Sequence, residues 1–217
     1  MLQILYSDDA LLALDKPAGL PVQPDGWDPA SPYLMQQAQA EYGRLWLVHR
    51  LDKTTTGVLL LARTAEAHRI LSMEFERHEA RKIYHAIVNG PPAWQDKSAR
   101  QPLSPNVGHR HRTVVNRRSG KASATNFIVL ERFRAHALLE ALPLTGRTHQ
   151  VRAHAAALGH PILGDALYGA PPTNLIGRTA LHAMRLEIRH PVTGQHTTFE
   201  APCPDDFLQA LHVLRPS

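Results

Sequence analysis

The sequence predicts an α+β fold: a mixed, mainly antiparallel sheet flanked by helices. Three observations carry this. Short apolar or alternating runs of strand length recur along the chain, helical periodicity appears in only a few separate stretches, and the 17 prolines and 13 glycines fall largely between them. A chain of 217 residues with 43% hydrophobic and 20% charged residues can bury a core without staples, and no linker or repeat divides it, so one domain over 1–217 is expected.

The elements follow in order. Leu2 to Leu5 and Leu11 to Asp15 read as two strands joined through Ser7-Asp8-Asp9, and Lys16-Pro17-Ala18-Gly19 ends the second. Ser31 to Tyr42 reads as a helix with Ser31 at the N-cap, Pro32 at the first helical position and Gly43 as the stop. Trp46 to Leu51 suits a short strand and Gly57 to Ala62 a continuously buried one, which leaves a hydroxyl-rich loop opened by Asp52. Thr64 to His78 has Ala67, Ile70, Leu71 and Phe75 at helical spacing behind a threonine N-cap.

Lys82 to Val88 alternates as a strand does, and Gly90-Pro91-Pro92 closes it. From Ala93 to Lys121 the chain is polar and carries Arg100, Arg110, Arg112, Arg117, Arg118 and Lys121, an exposed arm with short strands. Strands return at Ala124 to Arg132 and Ala135 to Leu142. Thr148 to Leu158 reads as a helix capped by Thr148 and stopped by Gly159, Arg178 to Ile188 and His196 to Glu200 as strands about a turn at Pro191–Gly194, and Phe207 to Leu214 as a last helix.

Composition restricts the function classes. The formal charge of +5, with 14 histidines in reserve, suits a polyanionic partner. Cys203 is the only cysteine, which excludes an intramolecular disulfide and a multi-cysteine zinc site. His109 and His111 alone are too few for a metal centre, and none is expected. The start has no signal-peptide pattern and no apolar run approaches ~20 residues, so a cytoplasmic protein without membrane contact is expected. A monomer is the simplest assembly, because no heptad pattern is sustained.

The segment His49-Arg50-Leu51-Asp52-Lys53-Thr54-Thr55-Thr56-Gly57 places one carboxylate between cations, just before a buried strand. Continued to Arg63, it resembles the H-R-L-D signature of the RluA family of RNA pseudouridine synthases. The similarity extends to Lys16–Gly19, Arg81-Lys82-Ile83-Tyr84, the run Thr145 to His154, and His160 to Asp165 with Tyr168-Gly169, in family order along the chain. Thr56 stands where the family usually has serine, and Asp15 where asparagine is common. The N-terminal S4 module of many relatives has no room before Lys16, so a compact form is expected.

The resemblance implies the pseudouridine synthase catalytic fold and isomerisation of uridine to pseudouridine in structured RNA, ribosomal or transfer, without a cofactor. It implies Asp52 as the catalytic carboxylate, Arg147 as the arginine that pairs with it, and Tyr84 as the ring stacked on the flipped uracil. Arg50 resembles the side chain that fills the vacancy in the RNA, and Leu181 an apolar residue beside the uracil. Arg81, Lys82 and the basic arm would hold phosphates. Two other classes share part of this pattern: an RNA-binding protein without turnover, and a nucleoside hydrolase, although most glycosidases use paired carboxylates.

Overall fold

A computed structural model describes residues 2–24, 30–108 and 112–215. The chain divides into two compact units: residues 1–82 with 183–202, and residues 83–182 with 203–217. Across the described residues the architecture is the expected α+β class, with four α-helices and a mainly antiparallel sheet.

In the first unit, β1 (Gln3–Ser7) and β2 (Leu11–Lys16) form an antiparallel hairpin in which Gln3 faces Asp15. Asp8 sets the turn, because its Oδ1 accepts the N–H groups of Ala10 and Leu11 at 2.8 and 2.7 Å. Its Oδ2 accepts from the Tyr6 hydroxyl and meets His190 Nε2, both at 2.8 Å. Burial works against the Asp8 charge, yet these bonds together hold its carboxyl below the usual range.

Strand β4 (Thr56–Ala62) is buried along its whole length, which is why it reads as an unbroken apolar run. It pairs antiparallel with β2 and with β3 (Trp46–Leu47), a strand shorter than the stretch to Leu51 that was expected. Beyond Leu47 the ladder is replaced by a side chain: the Leu60 N–H donates to His49 Nε2 at 2.9 Å. The sheet neighbours run β1-β2-β4-β11, where β11 is Leu181–Arg189, and β12 (His196–Glu200) pairs with β11.

Helix α1 (Leu34–Tyr42) begins later than Ser31 because its first N–H groups are satisfied elsewhere. Leu34 and Met35 donate to the carbonyls of Pro21 and Val22 at 2.8 and 3.2 Å, so Tyr33 is the N-cap and no side chain caps it. Helix α2 (Ala65–Glu76) starts at the threonine foreseen, with the Ala67 N–H donating to Thr64 Oγ1 at 3.1 Å. Ala67 and Leu71 enter the core and Phe75 packs against it, but Ile70 is only half-buried. The buried polar member of this helix is Glu74, whose Oε1 accepts the Arg189 N–H at 2.7 Å. Burial pushes its carboxyl up.

In the second unit the neighbours run β5-β10-β9-β6: β5 is Arg81–Asn89, β10 His136–Pro143, β9 Thr125–Arg132 and β6 Asp96–Ala99. Strand β6 thus takes the first part of the polar stretch into the sheet, by pairing with β9. The remainder is a hairpin of β7 (Leu103–Val107) and β8 (Arg112–Val115), while Arg110, His109 and His111 lie outside the described residues. Helix α3 (Gln150–Ala157) starts two residues after Thr148, and α4 (Asp205–Leu214) begins two residues before Phe207. Ile87, Phe127, Leu139, Val151, Phe207 and Leu211 lie in one apolar cluster, with the half-buried Cys203 against it. Arg178 reaches α4 through two bonds to Asp206, at 2.7 and 2.8 Å.

Candidate active site

The motif around Asp52 is built on its neighbours. The Thr55 N–H donates to the Asp52 carbonyl at 3.0 Å, closing a tight turn that leaves the half-buried Asp52 side chain at its head. Lys16 fixes the next residue: its fully buried Nζ donates to the carbonyls of Lys53 and Pro17 at 3.1 and 2.7 Å, and the Gly19 N–H also reaches Lys53 O, at 2.9 Å. The Lys-Pro-Ala-Gly segment is therefore a clasp on the loop that carries Asp52.

His49 anchors the other side. Its ring stacks on Phe75 with centroids 4.9 Å apart, and burial, helped by the charge of Lys82, lowers its pKa to about 3. A neutral ring can accept at Nε2 only with its proton on Nδ1, and that tautomer serves the Leu60 N–H. Gly57, at the end of the motif, has φ 111°, and a Cβ there would lie 2.2 Å from the carbonyl oxygen of Ala183. A glycine is required because two backbones meet.

Arg50 is exposed. Arg81 is exposed and meets Glu187 at 3.6 Å, within a surface group in which Arg185 also pairs with Glu200 at 2.6 Å. Lys82 is half-buried, and loss of water pushes its amine down. These residues all belong to the first unit, as Asp52 does.

Tyr84, Arg147 and Leu181 belong to the second. Leu181 is buried in the apolar cluster against which half-buried Tyr84 packs, so the structure brings this expected pair into one environment. Arg147 sits in a turn governed by Gln150. The Arg147 N–H and the Thr145 hydroxyl both donate to Gln150 Oε1, at 3.1 and 2.6 Å, while Gln150 Nε2 donates to Ala124 O and Thr125 Oγ1. Thr148 is not the cap that was expected: the N-cap is His149 in a left-handed conformation, φ 52°, and no side chain caps the helix. Among the described residues, Arg147 Nε is buried without a hydrogen-bond partner. A buried guanidinium nitrogen of that kind is suited to an incoming acceptor.

Asp165 and Tyr168 take structural places. Asp165 receives Arg152 Nε and Nη2 at 2.7 and 2.8 Å, a two-pronged buried pair, and the Arg152 guanidinium lies 5.1 Å from the Tyr168 ring centre. Arg100, Arg112, Arg117, Arg118 and Lys121 are all exposed, which suits phosphate contact. Sequence reasoning missed Lys16, His49 and Gln150 as supports. Their motifs were visible, but their partners stand elsewhere in the chain. Among the described residues no group of three or more His, Cys, Asp or Glu side chains is placed to hold a metal, and no helix is long and apolar enough to cross a membrane.

Comparison with known proteins gives the chain a family. Residues 10–157 match the family model described as RNA pseudouridylate synthase. The chain is 36% identical, over 99% of its own length, to the ribosomal large subunit pseudouridine synthase D of Neisseria meningitidis, and 38% identical over the same share to that of Nitrosomonas europaea. It spans 61% and 65% of the length of those two relatives. Among solved structures, human RNA pseudouridylate synthase domain containing 4 superposes with a TM-score of 0.79 at 28% identity, covering 98% of this chain and 92% of that one.

Proposed function

From the premise that this chain belongs to the RNA pseudouridylate synthase family, which the match over residues 10–157 shows, we propose that it isomerises uridine to pseudouridine in structured RNA. The reaction breaks the bond between ribose C1′ and uracil N1, turns the base and forms a bond from C1′ to C5. C5 gives up its proton and N1 gains one, so product and substrate are isomers and no cofactor is consumed. The observation that carries the reading is the Asp52 turn, clasped by Lys16 and anchored by His49 within the family signature.

Asp52 supplies the carboxylate that acts at the ribose. Arg147 is its cationic partner and Tyr84 the ring that receives the uracil, with Leu181 on the apolar side. A uridine must leave its stack before C1′ is accessible, at a cost of a few kcal/mol, and Arg50 fills the gap with a flat guanidinium. Arg81, Lys82 and the exposed cations of the arm hold phosphates without reading sequence. In this reading residues 1–217 act as one catalytic domain, a monomer working in the cytoplasm. The names of the bacterial relatives favour large-subunit ribosomal RNA over transfer RNA as the first substrate to test.

The test is a map of pseudouridine in total RNA from cells with the protein, without it, and with Asp52→Ala in its place. A uridine modified only in the first names the substrate. Identical maps in all three, with RNA binding retained, would replace the enzyme by a binding factor.

A further inference from the structure

The β7–β8 arm is closed at its base by Leu103 and Lys121, which exchange backbone hydrogen bonds at 2.9 and 2.8 Å. Thr113 departs from the rest of β8. It lies between the exposed Arg112 and the half-buried Val114, yet it is only 1% exposed. The register of the hairpin breaks there, since Val107 pairs with Arg112 and Ser104 with Val114. The extra residue lies in β7, where Pro105 and Asn106 stand opposite Thr113 alone, and Thr113 turns inward by the alternation of the strand.

The hydroxyl of Thr113 reaches the turn that follows Arg147, and its N–H reaches a tyrosine that meets the same turn. Its hydroxyl donates to the Thr148 carbonyl at 2.8 Å, and its N–H donates to the Tyr168 hydroxyl at 2.9 Å. The same tyrosine hydroxyl meets His149 Nδ1 at 3.1 Å, and the Tyr168 ring is held against Arg152, itself locked to Asp165. Thr148 and His149 are the two residues directly after Arg147. An arm that carries exposed cations is thus bonded directly to the first of them and, through the Tyr168 hydroxyl, to the second.

We propose that Thr113 and Tyr168 are positioning residues that transmit the placement of the basic arm, when it holds RNA phosphate, to the guanidinium of Arg147. The inference rests on the pseudouridine synthase reading. Neither side chain touches the uridine. They act by holding the backbone from which Arg147 projects, where a displacement of ~1 Å is enough to lower a rate by about 100-fold.

The probe is RNA labelled with C5-tritiated uridine in cells lacking the protein, with tritium release under single turnover and filter binding read side by side. Thr113→Val keeps the shape and removes the hydroxyl donor, Thr113→Ser restores it, and Tyr168→Phe removes the shared hydroxyl. The first and third variants lower the single-turnover rate at least ~10-fold with affinity within about 2-fold of wild type, and Thr113→Ser stays within about 2-fold in both. In an Arg147→Lys background, Thr113→Val adds no further loss, because it acts through a group already displaced.

Wild-type rates in both Thr113→Val and Tyr168→Phe would overturn the proposal, as would equal losses with and without Arg147, or affinity falling in step with rate. Should Thr113→Val not fold, Tyr168→Phe and its pairing with Arg147→Lys decide the matter. Absence of tritium release from the wild type itself would defeat the isomerase reading, and this inference with it, before any variant is compared.

Discussion

At the scale of single residues, His49 has the most direct thermodynamic signature. Its folded pKa of about 3 lies below the ordinary 6.5, so the unfolded chain binds the extra proton first as pH falls. Its contribution to stability is therefore complete above pH ~6.5 and is lost as pH falls toward about 3, with a slope of up to ~1.4 kcal/mol per pH unit. Urea unfolding across that window shows the slope in wild type and its reduction in His49→Phe, which keeps the stack on Phe75 but leaves the Leu60 N–H without an acceptor and lowers stability by about 1–3 kcal/mol at pH 7. Arg147→Lys reduces the single-turnover rate roughly 100-fold and leaves RNA affinity nearly unchanged, since a lysine replaces the charge but not the planar donor set. The types of these residues were legible in the motifs. Their supports were not, because Lys16 meets Lys53, and Thr113 meets Thr148 and Tyr168, across stretches that no local pattern connects.

At the scale of elements, most strands and helices were legible from their apolar patterns, an unbroken run along β4 and helical spacing along α2. Helix starts were less so. Thr64 caps α2 by the local rule, whereas α1 takes its first acceptors from Pro21 and Val22, and α3 follows a turn built by Gln150. Thr64→Ala accordingly lowers stability by about 1 kcal/mol, read as a fall in the urea midpoint. Gly57→Ala is far more severe, because φ 111° and the Ala183 carbonyl oppose any Cβ. A loss of at least ~3 kcal/mol, or failure to accumulate folded protein, is the expected result in circular-dichroism melts.

At the scale of the molecule, the positive charge of +5 was visible in composition, and the structure places exposed cations along the arm. Replacing Arg112, Arg117 or Arg118 by Ala weakens binding about equally for all RNAs and lowers the slope of log affinity against log salt by roughly 0.7–0.9 for each phosphate no longer neutralised. Filter binding over a KCl series measures both. The α+β class was legible too. The division into two compact units was not: two of the passages between them fall inside strands, at Lys82–Ile83 in β5 and His182–Ala183 in β11, so no proline- or glycine-rich linker marks them.

That interleaving has a consequence in time. Residues 1–82 leave the ribosome first, but their unit includes residues 183–202, which emerge roughly 100 residues later, a delay of about 5–20 s at ordinary rates of synthesis. Throughout it β4 can pair with β2 and β3 but not with the backbone that will lie against Gly57, so one edge of its apolar run stays uncovered on the nascent chain.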